Sequence, residues 1–159
     1  MKKILLGLLI CLNTLVLSAQ ESGLTWHTNI DKAMEVSKKE NKPMMLFFTG
    51  SDWCGWCMHL QKEVFFKPEF VKWAKENVVL VELDFPKKKQ LDPALQQQNY
   101  GLQNALKVQG YPTIWFITAE KKADGNVNLS QLGSTGYVAG GPEAWITGAN
   151  QILANNKKG

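Results

Sequence analysis

The stretch Ser51-Asp52-Trp53-Cys54-Gly55-Trp56-Cys57 places two cysteines three positions apart, directly after an apolar run. Ahead of it, Met44-Met45-Leu46-Phe47-Phe48 is short, apolar and bounded by Pro43 and Gly50, which suits a buried strand. After it, Met58 to Phe66 has helical spacing. The pair is therefore expected where a strand ends and a helix begins. At such a junction the first N–H groups of the helix lack intrahelical partners and the helix dipole is positive, so a thiolate on Cys54 is favoured over its thiol. The thiolate is the form that attacks a disulfide, so spacing and location together read as a redox-active dithiol.

Other uses of two cysteines fit less well. Structural zinc takes four ligands, usually as two separated pairs, and beyond the N-terminal segment the chain offers only Cys54, Cys57, His27 and His59. Covalent haem attachment wants histidine directly after the second cysteine, where Met58 stands and His59 is one place late. A purely structural bridge would close so small a ring that it constrains the unfolded chain little. No metal site is expected.

The N-terminus reads as a secretory leader. Lys2-Lys3 precede an apolar run from Ile4 to Leu17, interrupted by Gly7, Asn13 and Thr14, and Ser18-Ala19-Gln20 supplies a small residue for cleavage. The run falls short of the ~20 apolar residues of a membrane span, although the bulky Leu17 leaves an uncleaved signal anchor as the alternative. Residues 1–19 are thus expected to be a signal peptide, with Cys11 inside it, and residues 20–159 a single domain of about 140 residues, enough to bury a core without staples. Export, to a periplasm or beyond the cell, permits a disulfide, and Cys54 and Cys57 are then the only cysteines left to form one.

Charge points away from nucleic acid. The net charge of +4 comes entirely from lysine, and with no arginine the chain lacks the planar fork suited to phosphate and guanine. Lys87-Lys88-Lys89 and Lys157-Lys158 read as a solvated loop and tail.

Along the remaining chain, Thr28 to Glu40 is expected to be a helix with Ile30, Ala33 and Met34 on one face, capped by Thr28 with Asp31 and ending at Asn41. Pro68 suits the start of another, with Phe70, Trp73 and Ala74 buried, and Val78 to Phe85 is the clearest strand. Asp92-Pro93 opens a polar surface helix with a broken apolar face of Leu95, Leu102, Ala105 and Leu106. Gly110-Tyr111-Pro112-Thr113 leads into a strand from Ile114 to Thr118; Asp124-Gly125 marks a hairpin turn and Leu129 to Val138 a weaker edge strand. Gly140-Gly141 is a hinge-like loop before a last helix from Pro142 to Ala154, with Ala144, Trp145, Ala149, Ile152 and Leu153 on its packed side. The order calls for an α/β domain, a mixed central sheet of four to five strands with helices on both faces.

The Trp-Cys-Gly-Trp-Cys run after a strand, this element order, and Gly110-Tyr111-Pro112-Thr113 after the middle helix resemble the thioredoxin family, in particular its exported bacterial members, over roughly residues 24–154. The resemblance implies a thioredoxin fold in which Cys54 is the exposed nucleophile, Cys57 the buried resolving thiol and Pro112 a cis-proline facing them. It also implies that the backbone of Tyr111 pairs with an extended substrate segment, while Trp53, Gly55 and Trp56 line the substrate side. At the position where the family often has a buried acid, this chain has Phe48. Glu82 in the neighbouring strand is the candidate proton relay, although alternation also lets it face solvent, which is the simpler reading. His59 is expected at the surface.

The activity implied is dithiol exchange through a mixed disulfide on protein or peptide substrates, as reductase or isomerase, by a monomer needing no organic cofactor. Electrons are expected from a redox partner protein, and membrane contact only through an uncleaved leader. The alternative is a redox-silent peptide-binding or chaperone module on the same fold.

Overall fold

The computed structural model describes residues 23–154 apart from Asp124 and Asn126. The expected leader, Asp124 of the hairpin turn and the Lys157-Lys158 tail lie outside the described residues.

Five strands form one mixed sheet in the order β1-β3-β2-β4-β5. They are β1 (Trp26–His27), β2 (Met44–Thr49), β3 (Val79–Asp84), β4 (Thr113–Lys121) and β5 (Val127–Thr135). β1, β3 and β2 run parallel, whereas β4 pairs antiparallel with β2 and with β5. Every residue of β2 is buried, and all of β3 except Glu82. This is why both strands read as unbroken apolar runs: their two faces are covered.

Strand alternation sorts the core into two layers. Met45, Phe47, Leu80, Ile114 and Phe116 pack against the helices that follow the dithiol and against the last helix. Met44, Leu46, Phe48, Val79, Val81 and Leu83 pack on the opposite face with Ala33 and Leu106. The first face is covered by α2 (Gly55–Leu60), a π-helical turn (Gln61–Phe65), α3 (Pro68–Asn77) and α5 (Gly141–Leu153); the second by α1 (Ile30–Glu40) and the end of α4 (Pro93–Ala105).

Several boundaries correct the sequence reading. The cap of α1 is Asn29, not Thr28: its side chain accepts from Lys32 N at 2.9 Å, one residue nearer the helix. Asn41 ends α1 in a left-handed conformation, φ 52°, with its N–H on Ser37 O. The single helix expected from Met58 to Phe66 is α2 followed by the π turn, in which Phe66 N reaches Gln61 O at 2.9 Å. The widened turn keeps both Val64 and Phe65 buried behind Leu60.

α4 is a surface helix held by polar bonds. Asp92 caps it through Ala94 N and Leu95 N, Asn99 is its one buried residue and donates to Asp84 O at 2.9 Å, and Gln98 bridges Thr28 O and Ile30 N. At the far end of the chain Gly140 and Gly141 take φ of 109° and 75°, a turn open to glycine, and swing it into α5. Among the described residues no helix is long and apolar enough to cross a membrane.

Candidate active site

Cys54 ends the loop after β2 and is the N-cap of α2, with an extended backbone that turns its sulfur onto the first helical turn. Cys57 N donates to Cys54 Sγ at 3.2 Å, and the two residues are joined by a disulfide with Cα atoms 5.3 Å apart. The loop is tight for a visible reason: Trp53 N and Cys54 N both bond Gly50 O, and a Cβ at Gly50 would collide with the indole of Trp53. The expectation of an exposed Cys54 needs correction. It is 5% exposed against 0% for Cys57, because in the disulfide its sulfur is directed at the helix start. Of the two, Cys54 alone keeps an accessible edge.

The peptide bond between Tyr111 and Pro112 is cis, and the paired ladder of β4 begins just past it, at Thr113. Tyr111 therefore lies beyond the sheet's paired backbone. Its ring stands edge-on to Trp53 at 5.8 Å and lies against Phe85 at 5.1 Å, while its hydroxyl donates to Gln103 at 3.1 Å. Trp53 is fixed in turn by an indole N–H bond to Phe85 O at 2.8 Å. These contacts bring Cys54, Trp53, Tyr111 and Pro112, separated by some sixty positions in the chain, to one end of the sheet.

On the other side of the disulfide Trp56 is 62% exposed, with its ring 5.6 Å from His59 and 5.2 Å from Tyr137. The Tyr137 hydroxyl donates to Glu63 at 2.7 Å, and His59 Nε2 lies 2.9 Å from the same carboxylate oxygen. The hydrogen bond from Tyr137 holds the Glu63 carboxyl below its ordinary pKa and pushes the phenol of Tyr137 up. His59 is at the surface as expected, yet it belongs to the setting of Trp56. Neither Tyr137 nor Glu63 carries a sequence signal, since the contact spans 74 positions. Tyr137→Phe is expected to raise the Glu63 pKa back toward the ordinary glutamate value. It should also increase the mobility of the Trp56 ring, read by carboxyl NMR titration and by fluorescence anisotropy.

Glu82 is half-buried, on the same sheet face as its register partner Phe47, which shares a core cluster with Cys57. The simple solvent-facing reading does not hold. Burial, with Asp84 two residues away, raises the Glu82 pKa, and Lys89 offsets part of the rise. Phe48, at the place of the family's acid, is fully buried on the opposite face.

Asp84 ties the end of β3 to the dithiol loop. Its carboxylate accepts from Ser51 N at 2.8 Å and Ser51 Oγ at 2.6 Å, and lies 3.0 Å from Lys89 Nζ. Asp52 reaches out of the loop and accepts from the backbone N–H groups of Lys87, Lys88 and Lys89 at 2.9, 2.7 and 3.2 Å, bonds that lower its own pKa. The lysine run is exposed, but the loop that carries it is held in place.

A family model described as a thioredoxin-like domain matches residues 30–137. The chain belongs to the thioredoxin-like family. This thioredoxin-like chain is 36% identical over 132 residues to the disulfide bond reductase DsbH of Chlamydia pneumoniae, an alignment that spans 83% of this chain and 74% of that protein. It is 31% identical over 142 residues to the thioredoxin-related protein DsbJ of the same organism, covering 87% of itself and 39% of DsbJ. A solved structure of a DsbH oxidoreductase superposes with a TM-score of 0.71 at 36% identity, covering 82% of this chain and 85% of that one. With a Cys-x-x-Cys disulfide at the strand-to-helix junction of this fold, the protein is a thiol–disulfide oxidoreductase.

Proposed function

We propose that this enzyme reduces protein disulfides in the cell envelope, after export directed by residues 1–19, with Cys54 as nucleophile and Cys57 as resolving thiol. The observation that carries the reading is the disulfide at the N-cap of α2, with the accessible edge on Cys54 and the cis-proline loop beside it. The reductive direction is supported by the likeness to DsbH, a disulfide bond reductase.

In the reduced enzyme the Cys54 thiolate attacks one sulfur of a substrate disulfide, forming a mixed disulfide and releasing the first substrate thiolate. Cys57, once deprotonated, attacks Cys54 Sγ, and the second substrate sulfur leaves. Two electrons pass to the substrate, which takes up two protons, and the enzyme is left with the Cys54–Cys57 bond. A partner dithiol protein then reduces that bond. Trp53, Gly55, Trp56 and the Tyr111-Pro112 loop form the substrate side, with the Tyr111 backbone available to an extended segment.

Glu82 is the acceptor proposed for the Cys57 proton. A carboxylate whose pKa is raised by burial is a better base, closer to the pH at which it works. The same raised pKa sets a stability signature. The folded state holds the Glu82 proton more tightly than the unfolded chain, so this contribution is complete below the ordinary glutamate pKa and is lost as pH rises through the folded value. Glu82→Gln is therefore expected to flatten the fall in stability across that window in urea titrations. It should also slow resolution by Cys57 most at pH values above the Glu82 pKa and below that of the thiol, where the carboxylate is ionised and the thiol is not. A pH profile of exchange identical to that of the wild type would rule Glu82 out as the acceptor.

Insulin reduction by the chain from residue 20, compared with Cys54→Ser, tests the enzyme reading against a redox-silent binding module. Precipitation of the B chain with the wild type only is the expected result; equal, background rates for both would reject catalysis. The reduction potential of the Cys54–Cys57 pair tests the direction, a value near those of reducing thioredoxins being expected, about −270 mV.

A further inference from the structure

Two acids beside the dithiol have their oxygens engaged from within the protein. Asp52 is taken by three backbone N–H groups of the lysine loop, and Asp84 by Ser51 and Lys89. Lys87 and Lys88 are themselves exposed on that loop. Lys87 is not merely nearby: its Nζ stands 4.0 Å above the ring centre of Trp53, the residue next to Cys54 and in edge contact with Tyr111. The cation thus sits on the aromatic pair that joins the dithiol loop to the Tyr111-Pro112 loop.

We infer that Lys87 and Lys88 form an electrostatic docking site for an acidic polypeptide segment flanking the substrate's disulfide. The inference rests on the reductase reading and names the substrate class of that site. Charge complementarity selects the occupant: one cation seated on the ring next to Cys54 and a second exposed on the same loop raise the encounter rate and residence of a segment bearing aspartate or glutamate, and they repel one bearing lysine. The loop's anchoring matters here. A flexible lysine run would pay side-chain and backbone entropy on docking, whereas the Asp52 bonds have already ordered the backbone of this one.

The test uses the chain from residue 20 and three synthetic peptides of the same length, each closed by one disulfide and flanked by aspartate, serine or lysine. With reduced enzyme at about 20 mM salt, the acidic peptide is expected to be reduced about tenfold faster than the basic one, with the serine peptide between them. At about 0.5 M salt the ratio should fall below about twofold, as exposed charges are screened. In Lys87→Gln/Lys88→Gln the ratio should be near one already at low salt. A second measurement separates this inference from the reading beneath it: binding of the same peptides with serine in place of cysteine, followed by tryptophan fluorescence of the oxidised chain. Equal rates for acidic and basic peptides at low salt, or a preference that survives in the double variant, overturns the docking site while leaving the reductase intact. If no peptide is reduced but the acidic one still binds best, and does so through Lys87 and Lys88, the reductase reading falls and the docking site stands.

Discussion

Cys57→Ser is expected to turn the enzyme from a turnover catalyst into a trap. With Cys54 present, the first step proceeds and the substrate becomes covalently attached; without the second sulfur, nothing at the N-cap of α2 can displace it. Incubation with a disulfide peptide should give a stable 1:1 adduct on Cys54, seen by non-reducing electrophoresis and mass spectrometry and released by dithiothreitol. Cys54→Ser should give no adduct and lose at least about a thousandfold in insulin reduction, the scale on which removal of a covalent nucleophile acts in hydrolases. The contrast between the two variants carries the assignment. The residues differ in exposure, 5% for Cys54 against 0% for Cys57, and Cys54 alone occupies the N-cap. An adduct on Cys57 in the Cys54→Ser variant, formed as fast as that on Cys54 in the other, would reverse the roles.

The parts of this site that were legible in the sequence are those whose cause is local. Cys-x-x-Cys after an apolar run needs only the neighbouring strand and helix to mean something, and β2, β3 and the proline starts of α3, α4 and α5 follow from short windows. β1 escaped because two residues have no period; Trp26 and His27 are strand only by pairing with Leu80 and Val81. The π turn escaped because an i to i+5 bond is decided by the core taking both Val64 and Phe65, not by helix propensity. Tyr137 and Glu63 meet through the return of the chain from β5 to α5. The lysine run looked like a solvated loop since nothing in its composition points to Asp52, 35 positions earlier. Its anchoring is a tertiary fact, and so is the half-burial of Glu82, whose place in an alternating strand left both orientations open.

Trp145 links the stability of the fold to the shape of the site, and its replacement is the largest expected loss of stability. The indole is 1% exposed and stands within 5.5 to 6.2 Å, centre to centre, of Phe65, Phe70, Trp73 and Phe116, so α5, α3, the π turn and the sheet all pack on one ring. Truncation leaves a cavity that these rigid aromatic neighbours cannot close, and Trp145→Ala is expected to cost about 3–5 kcal/mol. For a domain of this size that is a fall of roughly 10–15 °C in the thermal midpoint. A milder variant isolates the second role. Trp145 Nε1 donates to Gly136 O at 3.1 Å, and a Cβ at Gly136 would lie 3.3 Å from Pro112 O. That bond ties α5 to the segment that carries Tyr137, beside the cis-proline loop, in addition to the pairing of Thr135 with Ile114. Trp145→Phe keeps most of the packing but loses the donor to a part-buried carbonyl, so it should cost about 1 kcal/mol, the scale of a typical hydrogen bond. It should also loosen Tyr137 from Glu63, raising the Glu63 pKa as Tyr137→Phe does. Calorimetry and carboxyl NMR titration of the two variants read the effects separately. A Trp145→Phe protein with an unchanged Glu63 titration would confine Trp145 to the core, and a Trp145→Ala midpoint within about 3 °C of the wild type would remove it from the centre of that core as well.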